Sequence, residues 1–351
     1  MAGILADKKV LVKDEAEGSQ IYNKGYFGNP LSGGGLELDL LDAIYLLEAE
    51  RLEIRSNNNP VSHAMLMSEG VKAINEFEIQ YLVFRDMRMR GYVVRRGPEP
   101  GDFHVFPRGG APKKTPSKWW LLAISERRIF DYGEFSKILD QVEKSKKHLL
   151  VALVDEEGDI TYYECVRKPP RGNLHSNPLK SQIKGILLND RVLVEGHAWV
   201  NLLQKSEFFG KKVWEALQLS LCEALYLVER GDMNIVNAKT KRAINADTLK
   251  RKAVEVQKDF HLRYRVYCDL KKNNMLVKTG FKYGSHFRAY KGDPDVYHAK
   301  YLVHAVEKDF RTSWPELSRI IRLAHGVKKE IAFARVLERS VEYLRLKRVR
   351  P

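Results

Sequence analysis

Leu36-Glu-Leu-Asp-Leu-Leu-Asp-Ala-Ile-Tyr-Leu-Leu-Glu48 returns later in the chain as Leu217-Gln-Leu-Ser-Leu-Cys-Glu-Ala-Leu-Tyr-Leu-Val-Glu229. Other blocks around this pair keep the same order. Lys9-Val-Leu-Val12 recurs as Arg191-Val-Leu-Val194, and Tyr26-Phe-Gly28 recurs as Phe208-Phe-Gly210, 182 residues on. Phe77-x-x-x-Tyr81 with Asp86 and Gly97 recurs as Phe260-x-x-x-Tyr264 with Asp269 and Gly280. Four blocks in one register, drifting only as small loop insertions require, identify an internal duplication. The copies span roughly 1–166 and 185–351. A polar linker over 167–184 joins them, carrying Lys168-Pro-Pro-Arg-Gly172 and Pro178.

Each copy has the same predicted layout. A β-branched strand (Val10–Lys13; Val192–Glu195) precedes an amphipathic helix bearing Leu38, Leu41, Ile44 and Tyr45, or Leu219, Cys222, Leu225 and Tyr226. These make a small N-terminal α/β subdomain, 1–76 in the first copy and 185–259 in the second. A helix follows (Phe77–Arg90; Phe260–Lys272), then two glycine-punctuated strands (Tyr92–Arg95 and Asp102–Phe106; Met275–Lys278 and His286–Tyr290). An apolar strand (Trp119–Ile124; Tyr301–Val306), a helix (Glu134–Lys147; Glu316–Lys329) and a hairpin complete each copy. Alternating strands and helices predict a mixed sheet flanked by helices over 77–166 and again over 260–351. The expected fold class is therefore α/β (mixed α+β), as two tandem repeats.

Composition narrows the function. The chain has 351 residues, 44% of them apolar and 30% charged, as an ordinary globular protein has. Its formal charge of +15 points to a polyanionic partner, nucleic acid before an anionic membrane. Phe260 to Pro351 holds 21 Lys and Arg against 9 Asp and Glu, so +12 of that excess lies in the last quarter. No apolar run approaches the ~20 residues of a membrane helix. Asp7, Lys8 and Lys9 come too early for a signal peptide. Cys165, Cys222 and Cys268 are scattered, which fits a reducing, cytoplasmic setting and speaks against structural zinc.

The copies differ where chemistry is expected. The second reads Phe287-Arg-Ala-Tyr290-Lys-Gly-Asp-Pro-Asp-Val-Tyr-His298-Ala-Lys300-Tyr301. Aligning Lys300-Tyr301 with Lys118-Trp119 sets Tyr290 opposite Phe106 and His298 opposite Pro116. Lys329 keeps a counterpart, Lys147. Tyr, His and Lys without clustered carboxylates suit metal-free cleavage of an RNA phosphodiester. One group takes the 2′-hydroxyl proton, one protonates the 5′-oxygen, and a cation stabilises the transition state. Such cleavage leaves a 2′,3′-cyclic phosphate and a 5′-hydroxyl. Three other histidines, His286, His304 and His325, lie close in sequence, and spacing alone does not rank His298 above His325.

Three blocks, Gly280-Phe-Lys-Tyr-Gly-x-x-Phe287-x-x-Tyr290, Gly292-Asp-Pro-x-x-Tyr-His298-Ala-Lys-Tyr301-Leu-Val303 and Arg322-Leu-Ala-x-x-Val-Lys-Lys329, resemble the archaeal tRNA-splicing endonuclease family. The resemblance covers nearly the whole chain, and the duplicated length is similar to the homodimeric two-repeat subclass. It implies nuclease-like C-terminal subdomains, degenerate in the first copy and catalytic in the second. It further implies Tyr290 as general base, His298 as general acid and Lys329 as transition-state stabiliser, with no metal and no cofactor. Arg322 and, just past the final strand, Arg345 would sandwich a bulge base. The implied substrate is a precursor tRNA with a bulge–helix–bulge, and a homodimer would supply two active sites. The acidic turn Asp155-Glu156-Glu157-Gly158-Asp159 would dock onto the opposite protomer.

Two other functions compete. A metal-dependent, restriction-like nuclease would need an acidic residue two before a lysine after Asp295, and none follows. A non-catalytic RNA-binding or assembly subunit would not need Tyr290 and His298 together. The basic loop 107–118 and the segment Asn237–Lys252 carry charge with no assigned role.

Overall fold

The repeated blocks are hydrogen-bonding partners of one another, which is why they recur together. In the computed structural model, the Tyr81 hydroxyl donates to Glu48, and its counterpart Tyr264 donates to Glu229 at 2.6 Å. Tyr162 donates to Asp86 at 2.5 Å, and Tyr343 to Asp269 at 2.7 Å. Gly28 and Gly210 have φ of +66° and +61°, and a Cβ on either would strike a neighbouring strand's carbonyl oxygen at 2.4 or 2.7 Å. The structure describes all residues except 98, 100, 175–177, 180 and 181, so that part of the 167–184 linker lies outside the described residues.

The chain divides into two units. One comprises Met1–Cys165 with Arg311–Leu317 and Arg348–Pro351, the other Val166–Phe310 with Ser318–Lys347. Within the first, Ile129–Asp131 pairs antiparallel with Arg311–Ser313. Each unit begins with a small six-stranded sheet. Its central parallel pair is Ala2–Ala6 with Glu53–Ser56 in the first unit. In the second it is Ile183–Leu187 with Met233–Asn237.

The block that reveals the duplication is a strand and a helix, not one helix as its spacing predicts. Leu36–Leu38 is extended, Asp39 caps the next turn by accepting from the Asp42 amide at 2.8 Å, and Leu40–Glu48 is helical. In the second copy Ala216–Ser220 is extended and Ser220 closes a capping box with Glu223 ahead of Leu221–Glu229. Leu38 and Leu219 are thus strand residues, although both are buried. The cap residue, an oxygen-bearing side chain ahead of an apolar run, overrides helical periodicity.

The second layer holds the site. In the first unit the strand order is Val94–Arg96, Phe103–Val105, Trp119–Ser125, His148–Val154, Ile160–Arg167. In the second it is Leu276–Thr279, Phe287–Tyr290, Tyr301–Val306, Glu330–Val336, Val341–Val349. The third and fourth strands of each run parallel, and the other neighbours run antiparallel. A parallel pair needs a crossover, supplied by the helices Tyr132–Lys144 and Trp314–Gly326. One apolar core joins the small sheet, the helix from Phe77 or Phe260, and the larger sheet in each copy.

Candidate active site

Three neighbouring strands bring the predicted residues to one end of the second copy's sheet. Tyr290 is the last residue of its strand and is only 7% exposed, packed with Leu276, Ala299, Leu174 and Phe208. The Ala289 carbonyl accepts from the Lys300 amide, and the Lys300 carbonyl accepts from the Glu330 amide, both at 3.0 Å. Residues 290, 300 and 329 therefore lie side by side across the strands. His298, two residues before Lys300, stands exposed in the loop that enters the third strand. Asp293 shapes that loop: its carbonyl accepts from the Tyr297 amide at 2.8 Å, and its carboxylate accepts from the Asp295 amide at 2.8 Å. Among the described residues, none of the three side chains hydrogen-bonds another.

Lys329 is not the last residue of a helix, as expected from sequence. The helix ends at Gly326, Lys328 takes a φ of +55°, and the Lys329 amide donates to the Ala324 carbonyl at 2.9 Å. The left-handed residue turns the chain, so Lys329 leads directly into the next strand. Its ammonium donates to the Val327 carbonyl at 3.1 Å and lies 5.1 Å from the Tyr283 ring centroid. Burial raises the Tyr290 phenol pKa, while the Arg288 guanidinium, 5.7 Å from its ring, pulls it down.

The same ladder runs through the first copy and reproduces the sequence alignment. The Lys118 amide donates to Val105, the His148 amide donates to Lys118, and Lys146 repeats the φ of +55° before Lys147. Phe106 therefore occupies the position of Tyr290, and Pro116 stands two residues before Lys118 as His298 stands two before Lys300. Lys147 remains, its ammonium donating to the Ser117 carbonyl at 2.7 Å.

The competing histidines separate by environment. His286 and His304 pack ring to ring, with centroids 5.4 Å apart, and burial lowers both pKa values to about 4. His286 Nδ1 accepts from the Ala305 amide at 2.9 Å. These two are neutral packing residues of the sheet. His325 is exposed on the final turn of its helix, and because the helix stops at Gly326 it shares no helical face with Lys329.

The two arginines sit in different settings. Arg322 is exposed on the Trp314–Gly326 helix. Arg345 does not lie past the final strand; it lies within it, opposite Ala332. Its guanidinium donates to the Tyr301 hydroxyl at 3.1 Å and to Glu330 at 3.4 Å. Lys300 reaches the same Glu330 at 3.6 Å. This Tyr301–Glu330–Arg345–Lys300 group was not legible from the sequence, because its members meet only across three strands.

Family models agree with this architecture in both copies. The catalytic C-terminal domain of the tRNA intron endonuclease matches residues 77–162 and 260–343, and the N-terminal domain of that enzyme matches 1–67 and 183–250. The chain belongs to the tRNA intron endonuclease family. Two N-terminal and two catalytic domains make it the two-repeat type. It is 34% identical over 356 residues to a tRNA-splicing endonuclease of Methanococcoides burtonii, covering 100% of both chains. It is 34% identical to that of Methanosarcina acetivorans (99% of each chain) and 30% identical to that of Halobacterium salinarum (93% of each).

The acidic hairpin turn is exposed here. Asp155–Asp159 caps the hairpin between His148–Val154 and Ile160–Arg167, with the Asp155 carboxylate accepting from the Glu157 and Asp159 amides. Asp155–Gly158 line a cavity of about 530 Å³ together with Glu76, Glu78, Glu126 and Arg127, and Arg127 pairs with Glu156 at 3.0 Å. The turn is thus part of a wider acidic surface, which only the fold assembles. Among the described residues, no helix is long and apolar enough to cross a membrane, and no group of three or more His, Cys, Asp or Glu is disposed to hold a metal.

Proposed function

We propose that this chain cuts precursor tRNA at both exon–intron borders of a bulge–helix–bulge, in a metal-independent reaction, as a cytoplasmic homodimer. Tyr290 acts as general base on the 2′-hydroxyl, His298 as general acid to the 5′-oxygen, and Lys329 stabilises the charge of the phosphorane-like transition state. The proton from the 2′-hydroxyl goes to the phenolate, the 2′-oxygen attacks phosphorus, and the bond to the 5′-oxygen breaks as His298 delivers a proton. The ends are a 2′,3′-cyclic phosphate and a 5′-hydroxyl. The observation that carries this reading is the shared end of three adjacent strands, where residues 290 and 329 align and the loop of His298 enters. The same positions hold Phe106 and Pro116 in the first copy, so that copy is the scaffold.

Two cuts per intron need two such sites, and a two-fold dimer supplies them. In this reading the acidic turn Asp155, Glu156, Glu157 and Asp159 docks against the basic second copy of the other protomer. Arg322, exposed on its helix, is the first member of the base clamp. Arg345 is the second, and must exchange its Tyr301 and Glu330 contacts for the base. In single-turnover assays His298→Ala binds the tRNA nearly as well as the native protein and cuts ~10²–10⁴-fold more slowly. Native cutting by that variant removes His298 from the reaction.

A further inference from the structure

Two large aromatic side chains on loops beside the site are exposed to water. Phe281 is 86% exposed and Tyr297 is 57% exposed. We propose that Phe281 and Tyr297 are stacking platforms that hold unpaired bases of the RNA next to the bond being cut. The proposal rests on the endonuclease reading above.

Each aromatic stands on a loop that also carries a group of the site. Phe281 opens a single 3-10 turn, Phe281–Tyr283, closed by the Tyr283 amide donating to Gly280 at 2.8 Å and ended by left-handed Gly284. Tyr283, the last residue of that turn, faces the Lys329 ammonium. One aromatic of the turn is therefore anchored at the site while the other is left outside. Tyr297 immediately precedes His298, in the loop that Asp293 holds, and its neighbour Val296 is 70% exposed.

The degenerate copy lacks both rings. In the sequence, Pro98-Glu99-Pro100 follows Gly97 where Phe281-Lys282-Tyr283 follows Gly280, and Thr115 precedes Pro116 where Tyr297 precedes His298. The exposed aromatics thus occur with the phenol and imidazole and are lost with them. Nearby charge selects the occupant. Lys282, Lys291 and Lys300 lie on the same two loops with Asp293 and Asp295, and the Asp293 carboxylate accepts from the Asp295 amide at 2.8 Å while Lys300 reaches Glu330 at 3.6 Å. Exposed rings on loops that also carry lysines suit splayed bases with nearby phosphates, and every base offers a face to stack on. Phe and Tyr carry no sequence code, so these contacts select unpaired geometry over a base identity.

The test uses the full-length protein and a bulge–helix–bulge RNA with 2-aminopurine in one bulge. Phe281→Leu and Tyr297→Leu keep apolar bulk and remove the π face, while Phe281→Trp restores it. The native protein is expected to change the probe's fluorescence on binding. Each leucine variant should lose that signature and bind the RNA ~10-fold more weakly. Phe281→Trp should recover both, and the mass by light scattering should not change. Leucine variants that bind and report like the native protein overturn the proposal. So does a loss accompanied by a change in assembly mass, which would make the patch a protein interface. If the native protein neither binds nor cuts this RNA, the endonuclease reading falls and takes the proposal with it.

Discussion

A base made from a phenol works against its own pKa, and at Tyr290 two forces oppose each other. Burial raises the pKa, so a neutral phenol is favoured, and Arg288 lowers it toward the phenolate that the proposed reaction needs. Removing the cation leaves burial unopposed. Arg288→Gln is therefore predicted to slow cutting at neutral pH by roughly tenfold for each unit that the phenol pKa rises. The deficit should shrink as pH rises and phenolate becomes populated again, read from single-turnover rates across a pH series. A deficit that stays constant with pH contradicts an electrostatic role. At this scale the sequence is most informative about identity. Tyr290 and His298 stand out because the first copy has Phe106 and Pro116 in their places, whereas Lys329, matched by Lys147, is not singled out by that comparison. The exclusion of His286 and His304 needed burial, which spacing does not report.

At the scale of elements, the His286–His304 pair makes the catalytic sheet sensitive to acid. Folding holds both histidines neutral, with pKa values lowered to about 4, whereas histidines of an unfolded chain take protons near pH 6.5. Between those values the unfolded state binds more protons, so stability rises with pH there. It is fully present above about pH 6.5 and is lost as pH falls toward 4. Melting temperatures should drop across that window, and His304→Leu, which keeps packing against Phe333, should flatten the drop. An unchanged pH slope in that variant contradicts the assignment. Elements were legible where periodicity had no rival. The helix Phe260–Lys272 and the strand Tyr301–Val306 fall where the pattern put them. The reading failed at Leu36–Glu48, because Leu36, Leu38 and Leu40 alternate as well as they spiral and only the Asp39 cap decides. It failed again at Lys328, whose left-handed backbone leaves no mark in side-chain pattern.

At the scale of the molecule, duplication separates two tasks. One copy has shed its phenol and imidazole and presents an acidic surface, while the other carries most of the net positive charge. Charge complementarity of that kind supports assembly through long-range attraction that salt screens. Neutralising Asp155, Glu156, Glu157 and Asp159 together is predicted to weaken the proposed dimer, with a larger difference from the native protein at low salt than at high salt. Light scattering that gives the same mass at every salt concentration contradicts docking through this turn. Arg345 shows the limit of reading the base clamp from sequence, since its position in the final strand, held by Tyr301 and Glu330, follows from strand register alone.

The central claim concerns which atoms are joined and which are parted, and the product ends record that directly. An intron-bearing precursor tRNA cut by this protein in EDTA is predicted to carry 2′,3′-cyclic phosphates on the 5′ side of each break and 5′-hydroxyls on the other. Ends bearing 3′-hydroxyls and 5′-phosphates, or cutting that vanishes without divalent ions, would contradict it.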